Sequence, residues 1–503
     1  LYFEKRPYQG ASGRVYPIPF VGTLTSRKKD KEYYAIVLEN EYVKVVALPE
    51  FGGKIQSAED KTNGYDFIYN NKVIKPAMVG LAGPWLSGGI EFNWPQHHRP
   101  TTFMPVPYAI CSDNDGDTVW IGEIDYFHNM KGMLGISLEE HSSCVKVKVR
   151  VYNSSPSPHP FMWWANTAVE INDSYKIVFP PDVEYVNDHD RRAVLKWPVA
   201  EGVYATARPY DYGKGTDIHW CKNIMVPSSF MVSKGQSDFD FVSGYDESKQ
   251  AGMVTVADHH IAPGKKLWTW GNGKFGDKWC ANLTDDGSRY VEIMTGCYTD
   301  NQPDFTWIAP YVTKEFEQFW FPVKDIGEVK NANSWAACNL EHQADRLFIG
   351  FYCTTVRKGC SVKLYSGNEL VFEDIADISP ENTYVKNLPF TGDYNSLHLS
   401  LMHENREIIG YSPVVRGKKN PIKPRLPAKR PQEIASIKEL YLNGLHLVQY
   451  KHFAYRAENY FMEALRRDPT DMRCNKAMGD YWFERADFKR AVDYYSRTIE
   501  KAC

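Results

Sequence analysis

Residues 87–100 concentrate the polar side chains of this sequence that could do chemistry. Behind two glycines, the segment carries an acid, an amide, a tryptophan, two histidines and an arginine: Glu91, Asn93, Trp94, His97, His98 and Arg99. A carboxylate and an imidazole held together can exchange protons with a substrate, and a guanidinium can bind hydroxyl or acidic groups. Adjacent side chains of an extended chain point to opposite faces, so we expect at most one of His97 and His98 to face a pocket.

A second acid, Glu292, stands alone among Val291, Ile293 and Met294. Burial on an apolar strand would raise the pKa of its carboxyl group toward a value suited to general acid catalysis. Cleavage of a glycosidic bond uses two carboxyl groups, about 5–5.5 Å or 6.5–9.5 Å apart. We predict Glu91 and Glu292 as that catalytic pair, with Glu170 or Glu317 as substitutes.

Aromatic side chains provide candidate platforms for a sugar ring. If residues 160–170 form a strand, Trp164 and Asn166 share one face, which would place an indole beside an amide that can bind hydroxyl groups. We predict that Trp94, Trp164 and Trp270 stack on sugar rings and that His260 also contacts the substrate. The alternative for Trp164 is a place in the hydrophobic core.

Composition and missing motifs exclude several classes of function. Lysine and arginine number 59 against 62 acids, a net charge of −3, so no basic excess favours a nucleic-acid partner. The sequence has no apolar run long enough to span a membrane and no GxSxG, Walker A, HExxH or GxGxxG motif. The histidine pair lacks further ligands at a metal-binding spacing. We predict no nucleic-acid partner, no membrane span, no metal and no cofactor.

Period-two alternation predicts a mainly β chain. Residues 144–151 place Val and Lys or Arg on alternate positions, which is typical of a half-buried strand. Many such short runs predict a large antiparallel β-supersandwich over residues 1–325 and a small immunoglobulin-like β-sandwich over residues 326–412.

The remaining residues change in composition. Residues 413–432 are rich in Pro, Lys and Arg, which predicts an extended linker. Residues 433–503 show a helical period and two related copies, with Gly444, Phe461 and Ala464 in the first and Gly479 and Ala491 in the second. They resemble the 34-residue tetratricopeptide repeat. Two repeats bury little surface, so we expect the array to be truncated or to stack on the β domain.

Residues 48–55, 87–100, 263–271 and 301–305, together with the repeats, resemble a bacterial family common in gut Bacteroidetes. That family joins a galactose-mutarotase-like β-supersandwich to tetratricopeptide repeats. The resemblance implies a glutamate base and a histidine acid on the concave face of the large sheet. Glu292 resembles that glutamate, whereas tryptophan takes the place of the histidine at residues 163–164, which leaves His97 or His98 as the acid.

These observations favour a carbohydrate-active enzyme, and we predict a glycoside hydrolase acting on an oligosaccharide or glycoside. One alternative is an aldose epimerase or mutarotase. The other is a non-catalytic glycan-binding scaffold whose repeats recruit a protein partner. A bacterial periplasm and a bacterial cytoplasm are both compatible with the sequence.

Overall fold

A computed structural model describes residues 18–95, 98–113, 116–125, 130–188, 193–206, 208–233, 235–298, 306–423, 428–449 and 455–502. Strands make up 44% of the chain and helices 15%, which confirms the mainly β class predicted from the alternating runs. The strands pair in antiparallel sheets. No helix among these residues is long and apolar enough to cross a membrane.

The larger β region contains a long series of short strands. Its first strands are β1 (Ile36–Glu39), β2 (Val43–Leu48), β3 (Lys54–Asp60), β4 (Tyr65–Ile68), β5 (Ala77–Gly80), β6 (Gly83–Trp85), β7 (Ile90–Asn93), β8 (Tyr108–Asp113), β9 (Gly116–Asp125), β10 (Met130–Leu138), β11 (Val145–Asn153), β12 (His159–Phe161), β13 (Trp164–Ile171) and β14 (Tyr175–Val178). They are followed by β15 (Tyr185–Asn187), β16 (Val194–Lys196), β17 (Val199–Ala200), β18 (Val203–Tyr204), β19 (Tyr210–Asp211), β20 (Thr216–Asp217), β21 (Ser228–Val232), β22 (Phe241–Asp246), β23 (Ala251–Ala257), β24 (Gly264–Thr269), helix α1 (Lys274–Leu283), β25 (Arg289–Gly296), β26 (Thr306–Ile308) and β27 (Thr313–Lys324).

Two sheets of this region pack face to face. The first has eleven strands and runs β1-β2-β3-β7-β13-β25-β24-β21-β15-β16, with β4 paired to β3. The second has eight strands in the order β14-β22-β23-β27-β11-β10-β9-β8. Alternate residues of both sheets form one core, in which the Trp163 indole donates to Gln318 (3.0 Å) and the Trp320 indole donates to Thr167 (2.9 Å). These bonds join the two sheets through groups that would otherwise be buried without partners.

The smaller β region follows as a sandwich of two four-stranded sheets. Its strands are β28 (Asn331–Ala332), β29 (Ala336–Gln343), β30 (Arg346–Cys353), β31 (Arg357–Ser366), β32 (Glu369–Ile378), β33 (Tyr384–Pro389), β34 (Leu397–His403) and β35 (Arg406–Tyr411). Apolar residues from both sheets, including Leu347, Val362 and Leu399, form its core. The Tyr352 hydroxyl donates to Ser143 (2.8 Å) and thereby ties this sandwich to the larger region.

The contacts of the chain divide it into two compact units, residues 1–424 and 425–503. Part of the basic, proline-rich stretch packs on the larger β region within the first unit. Arg416 donates to the carbonyls of Val183 and Trp197 (2.5 Å each), and Lys419 donates to the carbonyl of Gln236. These bonds hold the beginning of that stretch against the first unit.

The second unit is helical and contains α2 (Ile437–Gln449), α3 (Ala457–Arg467), α4 (Met472–Phe483) and α5 (Phe488–Ala502). Helix α2 packs on α3, and α4 packs on α5. A Cβ on Gly444 would lie 2.5 Å from the Phe461 ring, and one on Gly479 would lie 2.4 Å from the Tyr495 ring. Glycine at these two positions therefore permits the close approach within each pair. Assignment to the tetratricopeptide class stays a prediction.

Candidate active site

The strand register brings several candidate residues to one face of the eleven-stranded sheet. On β7, Ile90 and Phe92 point into the core, so Glu91 and Asn93 point away from it. Asn166 on β13 lies opposite Glu91, and Ala168 lies opposite Glu292 on β25. We call the surface that carries Glu91, Asn166 and Glu292 the site face. Because only β13 separates their strands, the backbones of the two glutamates lie about 10 Å apart laterally.

Glu91 is buried and fully engaged by hydrogen-bond donors. Its Oε2 accepts from the Trp85 indole (3.0 Å) and contacts His98 Nδ1 (2.9 Å), while its Oε1 accepts from the Thr102 hydroxyl (2.5 Å). Burial by itself would raise the pKa of this carboxyl, but the charge of His98 and the three hydrogen bonds lower it to about 2. Glu91 is therefore a permanent carboxylate near neutral pH.

His98 uses one ring nitrogen to bind Glu91. Its other nitrogen, Nε2, has no hydrogen-bond partner among the residues that the structure describes. The ring is held edge-on between Trp164 (4.9 Å between centroids) and Trp85 (5.6 Å). Burial opposes the charged form, yet Glu91 outweighs it and raises the pKa of His98 above its ordinary value. An oriented imidazolium with one free N–H can act as a proton donor.

Glu292 lies in a different electrostatic environment on the same face. Desolvation raises the pKa of its carboxyl to about 7, although His98, a hydrogen bond from Asn166 and Lys266 all act in the opposite direction. The Tyr290 hydroxyl lies 3.4 Å from Glu292 Oε1 and receives the Trp270 indole N–H at 3.1 Å. A carboxyl group that titrates near neutrality is suited to proton transfer.

An apolar cluster on the site face explains why Glu292 is desolvated. Tyr290 and Ala168 pack there with Trp85 from β6 and Leu283 from α1. This cluster lies outside the main core, so the sheet is covered on both faces at this end. The cover excludes water from Glu292, whose residue is 5% exposed.

The glycine pair of residues 87–100 forms a tight turn before β7. Gly88 and Gly89 have φ values of +80° and +67°, and a Cβ on Gly89 would lie 2.0 Å from the carbonyl oxygen of Ile55. Buried Lys54 stabilises the turn by donating to the carbonyls of Ser87 (3.1 Å) and Gly88 (2.6 Å). Burial lowers the pKa of Lys54 to about 8.

Several polar atoms on the site face are buried without a hydrogen-bond partner. They are Asn93 Nδ2, Trp164 Nε1 and Asn166 Oδ1. Native proteins rarely leave such groups unsatisfied, and a ligand or ordered water is a usual partner. Trp164 is 6% exposed and its ring already contacts His98 and Lys266, so it lines the site without offering a free stacking surface.

Two predicted substrate-binding residues lie in the interior instead. Trp94 shares the inward direction of Ile90 and Phe92, is 1% exposed, and stacks on Trp163 between the sheets (5.8 Å). Buried Arg99 donates to the carbonyl of Gly52 (2.5 Å), and its guanidinium lies 4.2 Å from the Trp94 ring. The backbone N–H of Arg99 binds the side-chain oxygen of Asn93 (2.8 Å). Trp94 and Arg99 therefore pack in the interior of the protein, and the side-chain oxygen of Asn93 is used to bind the Arg99 backbone.

Three further candidates form no hydrogen bond or ion pair with Glu91 or Glu292 among the contacts of the described residues. Glu317 is on β27 of the other sheet, where it pairs with Lys146 (3.0 Å) and faces solvent. His260 is exposed and bonded to Asp258 (3.0 Å). Glu170 shares the site face with Asn166 and Ala168, at the exposed end of β13 opposite Tyr290. Trp270 reaches Glu292 only through Tyr290, and Trp279 covers one face of its ring (4.2 Å). His97 lies outside the described residues.

Sequence reasoning missed other side chains of this site. Trp85, Thr102 and Tyr290 bind the two glutamates, and buried Lys54 and half-buried Lys266 supply positive charge. Strand alternation places Lys266 on the same face as Trp268, and Trp268 lies opposite Glu292. The sequence could therefore have indicated Lys266. No sequence pattern indicates Thr102, because a loop brings it back to Glu91. Among the described residues, one group could hold a metal ion, Asp258 with His259 and His260, and it is not part of the site face.

Comparison with family models identifies most of the chain. Residues 11–323 match the family described as a domain of unknown function, DUF5107, and the chain therefore belongs to that family. Residues 331–411 match the second domain of YphG-like proteins, which corresponds to the smaller β-sandwich.

A solved structure shows a similar fold over most of this chain. A TPR-domain containing protein from Parabacteroides distasonis matches over 96% of this chain and 74% of its own, with 20% identity and a TM-score of 0.55. Galactose mutarotase-like proteins from Lactobacillus casei and Clostridium acetobutylicum match 58% of this chain and 100% and 96% of their own. Their identities are 11% and 12%, and both TM-scores are 0.41, which is too low to assign a fold or an activity to this chain.

Proposed function

We propose that this protein is a carbohydrate-active enzyme that interconverts the anomers of an aldose by proton transfer, as an epimerase or mutarotase does. The observation that carries the proposal is the difference between the two glutamates. Glu91, with a pKa of about 2 and three donors, orients His98 and favours its charged form, whereas Glu292, with a pKa of about 7, can accept and return a proton. The site thus offers one carboxylate base and one imidazolium acid.

In this mechanism Glu292 removes the proton from the anomeric hydroxyl while His98 Nε2 protonates the ring oxygen. The bond between the anomeric carbon and the ring oxygen breaks, and the open-chain aldehyde forms. Rotation about the adjacent carbon–carbon bond, followed by the reverse proton transfers, gives the other anomer and restores both groups. Glu91 stabilises the imidazolium before transfer and fixes which nitrogen faces the sugar.

Glycoside hydrolysis is the second candidate, because Glu91 and Glu292 share the site face with Asn166 between them. It requires one glutamate to protonate the leaving group and the other to act as base or nucleophile. The three hydrogen bonds to Glu91 disfavour a nucleophilic role, since those bonds would have to break before it attacked.

The helical unit carries a separate proposal. We propose that α2–α5 are two tetratricopeptide repeats, on the basis of the close glycine contacts within each helix pair. In a non-catalytic scaffold these repeats would recruit a protein partner while the β region bound glycan. Such a scaffold would bind sugar without turnover, and Glu292→Gln would leave that binding unchanged.

The test is a product analysis on free aldoses and aryl glycosides, with the wild-type protein beside Glu292→Gln. We expect accelerated anomer exchange by NMR, no bond cleavage by chromatography, and loss of exchange in the variant. Cleavage that depends on Glu292 would establish the hydrolase instead. Binding without either reaction would support the scaffold.

A further inference from the structure

Lys266 is a cation of the site face that the proposed proton transfer does not use. Strand β24 places it beside Met294 of β25 and Met231 of β21. Its Nζ lies 6.0 Å from the centre of the Trp164 ring, and it forms no hydrogen bond or ion pair with a described residue. Lys54, another lysine of this face, uses its Nζ on two backbone carbonyls.

We infer that Lys266 binds a negatively charged group on the sugar, so that the substrate is an anionic sugar rather than a neutral one. This inference rests on the proposed function and specifies its substrate class. The shared chemistry is an oxyanion attached to a sugar ring, either the carboxylate of a uronic acid or a phosphate ester.

The charges around Lys266 support this assignment. Glu91 and His98 form a pair that neutralises itself. Asp188, which acts on Lys266 electrostatically, is held by the Ser229 hydroxyl (3.0 Å). Glu292 acts on Lys266 electrostatically but forms no ion pair with it. The ammonium group of Lys266 therefore has no direct anionic partner among the described residues, and the oxyanion of a substrate would supply one.

The partial burial of Lys266 increases the strength of such a contact. Desolvation lowers the pKa of Lys266 to about 8, while Glu292 and Asp188 act to raise it, so the ammonium form still predominates at pH 7. A charge-assisted hydrogen bond in a desolvated site contributes more to affinity than one in water. Trp164 and Asn166 beside it offer the unpartnered polar atoms described above for the sugar hydroxyls.

The experiment is isothermal titration of the full chain with D-glucose, D-galactose, D-glucuronate, D-galacturonate and D-glucose 6-phosphate. We expect at least one anionic sugar to bind about tenfold or more tightly than its neutral counterpart, the size of a charged hydrogen bond. Preference for the uronates or for the phosphate ester identifies the source of the anion. Equal affinity for charged and neutral sugars, or no binding at all, would overturn the inference.

Variants assign the preference to Lys266. Lys266→Met should reduce the ratio of neutral to anionic dissociation constants to about one while neutral sugars bind as before, and Lys266→Arg should keep the preference. Lys148→Met, on β11 of the other sheet, is the matched control and should change nothing. Equal weakening of both sugar types in Lys266→Met would show a merely structural lysine. Thermal unfolding of each variant identifies misfolding, in which case Lys266→Arg decides the question.

The same titration separates this inference from the proposed function. Glu292→Gln should lose turnover yet keep the preference for the anionic sugar. If turnover survives in Glu292→Gln while the charge preference holds, the proposed chemistry fails and the assignment of Lys266 stands. If turnover is lost but no charge preference exists in the wild type, the inference about Lys266 fails by itself.

Discussion

Acidic residues alternate with apolar ones along strands of both large sheets, so that the acidic side chains point to the outer faces. The exposure of these acids to solvent differs between the two sheets. On the eight-stranded sheet, the Glu317 side chain is 42% exposed and pairs with Lys146 (3.0 Å), and exposed Glu315 pairs with Arg150 (2.6 Å). On the eleven-stranded sheet, Glu292 is 5% exposed and Glu91 is 4% exposed. The same residue type on the same kind of strand is a solvated ion pair on one sheet and a buried titrating group on the other.

The difference arises from what covers each face. Helix α1 and the β5–β6 hairpin contribute Leu283 and Trp85 to the apolar cluster over the eleven-stranded sheet. At positions 315 and 317 the other sheet is open to water, which screens each charge and leaves a surface pair worth little. The solvation and the pKa of these carboxyl groups therefore depend on a second layer of packing, which alternation along a strand does not reveal.

The largest expected effect on the rate comes from neutralising the buried acid Glu292, with the exposed acid Glu317 as the control. Glu292→Gln removes the proton acceptor and should lower the rate of anomer exchange about 10³-fold. Glu317→Gln should leave the rate unchanged, because water already solvates that carboxylate. Steady-state rates on one aldose test both variants. Equal losses in the two would remove the distinction between the faces.

Removal of the Glu91 charge should destabilise the protein more than removal of an exposed charge. Glu91→Gln leaves His98 without its buried counterion and should reduce the free energy of unfolding by about 3 kcal/mol. Glu315→Gln breaks the exposed pair with Arg150 and should cost less than about 1 kcal/mol. Urea unfolding of both variants measures the difference. A loss for Glu91→Gln no larger than that for Glu315→Gln would show that the buried pair is not required.

The turn that leads into β7 can be tested with a matched glycine. Gly89→Ala places a Cβ against the Ile55 carbonyl and should reduce the free energy of unfolding by about 3 kcal/mol. Gly64 has a similar positive φ of +72° but nothing within 4 Å, so Gly64→Ala should cost about 1 kcal/mol for the backbone conformation alone. Thermal unfolding of the two variants isolates the close approach. Similar losses would mean that conformation, not contact, selects glycine at position 89.

The pH dependence of kcat/KM distinguishes the two candidate reactions. In anomer exchange Glu292 acts as a base, so the rate should fall about tenfold per unit as pH drops below its pKa of about 7. The rate should also fall above the raised pKa of His98, because the acid then loses its proton. In hydrolysis Glu292 acts as the acid, and the rate should instead fall as pH rises above 7. The direction of the limb near pH 7 decides between them.

The sequence was sufficient to predict the mainly β class, and it indicated three of the residues that the fold brings together. An isolated acid among apolar neighbours indicated Glu292, and the polar segment indicated Glu91 and His98. Alternation could also have excluded Trp94, because it shares the inward direction of Ile90 and Phe92. Alternation does not apply to Arg99, which lies outside the strands and whose guanidinium donates to the distant carbonyl of Gly52.

What the sequence determined by itself is the direction of each side chain along a strand, because successive residues of a β-strand point to opposite faces. Only the tertiary structure decided which faces are desolvated. Strand order placed β7, β13 and β25 side by side, and chain-distant residues such as Leu283 covered them. Desolvation depends on these long-range contacts. A glutamate on β27, Glu317, therefore forms an exposed ion pair, whereas a glutamate on β25, Glu292, is buried and has a pKa of about 7.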